Sequence, residues 1–82
     1  MKYYSEIYTP HDGHVLFKGN GNTATSAITS AGKDSKKSNR QINATCAVRV
    51  FESGAKILDV SGYGVEEAIK RCHATNRKLL KN

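Results

Sequence analysis

The segment Ser61-Gly62-Tyr63-Gly64 and the run it opens, Val65 to Leu80, constrain this chain most. Val65, Ala68, Ile69, Cys72, Leu79 and Leu80 follow the i, i+3, i+4, i+7 spacing of one helical face, which predicts an amphipathic helix. Glu66 and Glu67 stand in its first turn and Arg77, Lys78 and Lys81 near its end, where the helix dipole favours each charge. Glu66 with Lys70 and Glu67 with Arg71 are i, i+4 pairs that stabilise by about 0.2–0.5 kcal/mol each. The opposite face carries Lys70, Arg71, Arg77, Lys78 and Lys81. Asn76 projects into the apolar face and needs a partner, expected to be a sheet or loop backbone.

Such a helix must lie on an apolar surface, and the preceding chain offers a sheet. Tyr3 to Thr9 reads as a strand, Pro10-His11-Asp12-Gly13 as a turn and Val15 to Lys18 as the returning strand. After Gly19-Asn20-Gly21-Asn22, the residues Ala24, Ala27, Ile28 and Ala31 recur at helical spacing. Asn22 or Thr23 serves as N-cap and Gly32 as stop. Residues 33–41, with Lys33, Lys36, Lys37 and Arg40 and no large apolar side chain, read as an exposed basic loop. From Ile42 the pattern alternates. Ile42, Ala44, Cys46, Val48 and Val50 take one side; Asn43, Thr45, Arg49 and Ser53 take the other, where Phe51 breaks the polar pattern. Glu52-Ser53-Gly54-Ala55 turns the chain, and Lys56 to Val60 returns.

The halves recur. Gly13 and Gly54, Gly21 and Gly62, and Ala27-Ile28 and Ala68-Ile69 are each 41 residues apart, as are Ile7 and Val48, and Leu16 and Ile57. The chain therefore reads as two hairpin-plus-helix units in ββαββα order: a four-stranded antiparallel sheet with both helices on one face. Arg49, Phe51 and tyrosines of the first strand would occupy the open face. The alternative is ββββα or βββα, with residues 23–31 as strand or loop.

An 82-residue chain makes one small domain. Its formal charge of +6 and pI near 9.6 favour an acidic partner: nucleic acid, an anionic membrane surface or an acidic protein. No apolar run approaches the roughly 20 residues of a membrane span. Met1 to Glu6 lacks the apolar core of a signal peptide, so a cytoplasmic protein is expected. Cys46 and Cys72 suggest reduced core thiols rather than a disulfide framework.

His11, Asp12 and His14 are spaced for a metal, but no further ligand completes a set, and they read as a turn. No nucleophile–base pairing stands out and the carboxylates are scattered. The expectation is neither an enzyme nor a cofactor- or metal-binding protein. The two glycine-rich turns lack the lysine and spacing of a phosphate-binding loop. What remains is distributed: a basic cluster of Lys33, Lys36, Lys37 and Arg40, a second of Lys70, Arg71, Arg77, Lys78 and Lys81, Arg49 on the sheet, and Tyr63 and Phe51 for stacking on bases.

From Ala44, two short strands running into a helix resemble the second half of a double-stranded-RNA-binding domain. Glu66 and Glu67 stand where that family places lysines, and the first half lacks its opening helix, so no site carries over. The leading expectation is a small non-enzymatic basic protein that engages nucleic acid or a nucleoprotein complex. The alternative is an inhibitor or adaptor of the phage or mobile-element kind, anti-CRISPR proteins among them, directed at a host nucleic-acid-processing complex. Homodimerisation is compatible with either.

Overall fold

The computed structural model describes residues 2 to 39 and 41 to 80, Leu80 by its backbone alone. Strands β1 (Tyr3–Thr9) and β2 (His14–Gly21) form a hairpin that leads into helix α1 (Ala24–Ser38). Strands β3 (Thr45–Glu52) and β4 (Ala55–Tyr63) form a second hairpin leading into helix α2 (Val65–Leu80). The four strands make one antiparallel sheet in the order β2-β1-β3-β4, so the first strands of the two units meet at its centre. The fold is ββαββα, and the ββββα and βββα alternatives do not apply.

Both helices cover one face of the sheet. Ile7, Phe17, Cys46, Val48, Val50 and Leu58 point inward from the strands and meet Ala24, Ile28, Ala31, Ala68 and Cys72. The apolar helix residues are small because the helices lie close to the strands. Gly62 permits one such approach: a Cβ there would stand 2.8 Å from the Ala68 backbone nitrogen. Gly21 permits the equivalent approach to Ala27, with its absent Cβ 2.7 Å from that backbone nitrogen. Gly21–Ala27 and Gly62–Ala68 are the same contact 41 residues apart.

The units are not superimposable throughout. Four residues join β1 to β2, whereas Ser53 and Gly54 alone join β3 to β4, with φ of 50° and 89°. Positive φ at both central residues is the turn that matches strand twist in a two-residue hairpin. Ile7 pairs with Phe17 and Val50 with Leu58, so Ile7 corresponds to Val50, 43 residues on. The match of Ile7 with Val48 is therefore corrected: those two face each other across β1 and β3. The shorter second turn accounts for the difference. Beyond the turns the spacing of 41 holds. Leu16 and Ile57 are each the extra residue of a β-bulge, left between the register pairs on either side.

Helix α1 also corrects an expectation. Residues 33–41 are not all loop, because α1 runs through Gly32 to Ser38 and ends on Asn39 in the left-handed region at φ 58°. Gly32 does not stop the helix; its missing side chain leaves room for Ile69 of α2, whose Cδ1 would lie 3.3 Å from an added Cβ. The Asp34 carboxylate accepts the Lys18 backbone N–H at 3.1 Å, tying the helix to edge strand β2. Thr23 is the N-cap and forms a reciprocal capping box with Ser26.

The helices run antiparallel. Asn76, buried in α2, donates to the Thr25 hydroxyl of α1 at 3.0 Å, and Gly32 meets Ile69 further along. The Asn76 partner is thus a helix hydroxyl, not the backbone anticipated. Leu79 and Ile57 are 53% and 40% exposed at the edge of a small cleft, so neither completes the core.

The glycine contacts give a test. Gly21→Ala and Gly62→Ala force helix backbone away from the sheet and are expected to cost about 1–3 kcal/mol each in urea unfolding. Gly32→Ala meets only the end of a flexible side chain and gains helix propensity, so it is expected to hold or raise stability by up to about 1 kcal/mol. Equal losses at all three positions would contradict this packing.

Candidate functional site

The two sides of the molecule differ in charge. On the open sheet face, Lys18, Glu6, Arg49 and Asp59 are successive register partners across β2, β1, β3 and β4. The signs alternate along this row. Arg49 donates from Nε to Glu6 at 2.6 Å, and Glu6 also accepts the Tyr4 hydroxyl at 2.8 Å. Asp59 accepts the Tyr8 hydroxyl at 2.7 Å and Lys56 at 3.2 Å. The Arg49 guanidinium lies 4.2 Å from the centre of the Tyr8 ring, and Phe51 stacks at a tilt on Tyr4, 6.0 Å between centres.

Burial alone would raise the Glu6 carboxyl, but hydrogen bonds from Tyr4 and Arg49 and the nearby charges of Arg49 and Lys18 outweigh it and hold Glu6 below its ordinary value. Burial and the Glu6 hydrogen bond push the Tyr4 hydroxyl up to about 12. The strands hold three cations, Lys18, Arg49 and Lys56, and three anions, Glu6, Glu52 and Asp59. The sheet is therefore neutral.

The helices hold seven cations against three anions and carry four of the six formal charges. Between them lies an open groove of about 1230 Å³. Lys33 and Lys36 of α1 line one wall, Lys70, His73 and Arg77 of α2 the other, and Gln41, Asn43 and Tyr63 close one end with Glu66 and Glu67. Lys33, Lys36, Lys70 and Arg77 have no ion-pair partner among the described residues. Burial and the Arg77 charge lower the His73 pKa, so His73 is neutral near pH 7. Tyr63 is 70% exposed and donates its hydroxyl to the Asn43 carbonyl at 3.3 Å.

The groove joins two clusters that are far apart in sequence, but only in part. Lys37 and Lys78 are exposed on the helices outside its walls. Arg71 is engaged with Glu67 at 2.8 Å. Arg49 and Phe51 lie across the sheet from the groove, and Arg49 is already paired. Arg40 and Lys81 lie outside the described residues. Gln41 and Asn43 were missed because isolated amides in a linker carry no sequence signal. The Glu6–Asp59 row had one: each strand bears a charge near its middle.

At the first turn, Asp12 accepts from the Thr9 hydroxyl and from the His14 N–H, the latter at 3.0 Å. It is an Asx-type turn residue with exposed histidines beside it. Cys46 and Cys72 are unpaired and buried, and burial raises the Cys72 thiol to about 11, far from a reactive thiolate. Among the described residues, no His, Cys, Asp and Glu group could hold a metal and no helix is long and apolar enough to cross a membrane. Compared with known protein families, curated proteins and solved structures, the chain matches none.

Arg49→Ala leaves the largely covered Glu6 without its cation and is expected to cost about 1–3 kcal/mol. A carboxyl held low in the folded state stabilises at pH values above its unfolded pKa. That contribution is fully present above the ordinary glutamate value of about 4.3 and is lost as pH falls below it through the lowered folded value. Urea titrations across pH should show the Arg49→Ala penalty at neutral pH and its shrinkage in acid. A penalty independent of pH would contradict the pairing.

Proposed function

We propose that this chain is a non-enzymatic nucleic-acid-binding protein, acting alone or within a nucleoprotein complex, and that its interhelical groove holds the phosphate backbone. The separation of charge carries this reading. A solvated surface tuned for solubility would spread its excess charge, whereas here the sheet is neutral and unpaired cations face each other across one groove. Lysine and arginine at such a surface bind phosphate by displacing counterions, which needs no metal or catalytic group. The two buried free thiols suit a reducing, cytoplasmic compartment.

Fluorescence anisotropy with oligonucleotides at several salt concentrations tests the proposal. Four phosphate contacts predict a slope of log affinity against log salt of about −3 to −4. Lys33→Ala with Lys70→Ala should reduce that slope by about 2, while Lys56→Ala on the sheet should leave it unchanged. Failure to bind any nucleic acid at low salt would overturn the proposal and point to an acidic protein surface as the partner.

A further inference from the structure

Resting on that reading of the groove, we infer that its ligand is a single strand, held by phosphates along the helix walls and by an unpaired base stacked on Tyr63. Three observations converge. First, the cations come from both sides: Lys33 and Lys36 from α1, Lys70 and Arg77 from α2, above the line where Gly32 touches Ile69. One flexible backbone can run between such walls and meet cations on either side. A duplex is a rigid cylinder with its two backbones separated by grooves of about 6 and 12 Å, and it would meet only the rims.

Second, Tyr63 closes one end of the groove, the only Phe, Tyr or Trp among its described lining residues, and the residue is 70% exposed. Its hydroxyl bond to the Asn43 carbonyl orients the ring at this exposed position. An exposed, oriented ring beside a phosphate-binding track is what base stacking requires, and bases in a duplex have no free face to offer.

Third, Glu66 and Glu67 stand at the Tyr63 end. Glu67 is tied to Arg71 at 2.8 Å, so Glu66 supplies the acidic charge beside the ring. It disfavours phosphate on the α2 side there and leaves that spot to a neutral base, while Lys33 and Lys36 across the groove and Lys70 and Arg77 along it take the backbone. The acidic start of α2, explained by the helix dipole from sequence, thus also separates the two contacts: the base beside Tyr63 and Glu66, the phosphates along the lysines of α1 and the Lys70 and Arg77 side chains of α2.

The test measures binding of fluorescein-labelled single strands about 12 nucleotides long, in RNA and DNA, against the matching duplexes. Wild type should bind the single strands at least about 10-fold more tightly than the duplexes. Tyr63→Ala should weaken single-strand binding roughly 10-fold without changing its salt slope, because stacking displaces no counterion. Tyr63→Phe, which keeps the ring and loses the hydroxyl, should retain most of the affinity. Thermal melts establish that each variant is folded, as expected for so exposed a side chain. Salt-sensitive binding that ignores Tyr63→Ala, or that favours duplex, would overturn this inference and leave the proposed function standing. Absence of salt-sensitive binding to every probe would overturn both.

Discussion

Glu6 and Arg49 face each other across the two central strands, 2.6 Å apart and largely shielded from water. With Lys18 and Asp59 outside them, they form a row of alternating charge through all four strands. Shifting β1 against β3 by one residue would turn Ile7 or Val48 to water and bring Glu6 or Arg49 toward the helices. The row therefore disfavours wrong registers as well as stabilising the right one. It also determines what the open face can do. Its most central cation is taken up by a carboxylate and a tyrosine ring, so the face presents no excess charge to a partner.

The same centre relates the two halves of the molecule. Glu6 and Arg49 occupy equivalent positions in the two hairpins, and the units are disposed about them. Two hairpins joined through their first strands leave β2 and β4 at the edges and bring both helices to the same side. The helices settle close because Gly21 and Gly62 lack side chains where Ala27 and Ala68 approach. Close, small-residue packing keeps α1 and α2 side by side and antiparallel, and their outward lysines then face one another across a groove. Placement of the basic residues is thus a consequence of sheet order and glycine contacts, not of any local motif.

Much of this was readable from residue patterns. Tyr, Ile and Thr content marked β1, turn residues marked the hairpins, alternation marked β3, helical spacing marked α2 and the start of α1, and the spacing of 41 between glycines pointed to two like units. The end of α1 was not readable. Gly32 and the polar run after it carry loop chemistry, and only the close presence of Ile69 gives the glycine a role inside a helix. The equivalence of positions in β1 and β3 was also hidden, because the second turn is shorter by two residues and moves the counterpart of Ile7 from Val48 to Val50. For the site, the cation types were visible, but their grouping was not. Lys33 and Lys36 join Lys70 and Arg77 through tertiary packing, while Arg49 and Phe51, equally plausible from sequence, fall on the far side of the sheet.

On the proposed reading, recognition belongs to the helix side and the sheet face is an internally satisfied structural surface. Amide and side-chain NMR spectra recorded during titration with a single-stranded oligonucleotide test it most directly. Shifts are expected at Lys33, Lys36, Asn43, Tyr63, Lys70 and Arg77, with Glu6, Arg49, Phe51 and Asp59 unmoved. Shifts centred on Arg49, Phe51 and Tyr4 would place the ligand on the sheet and contradict it.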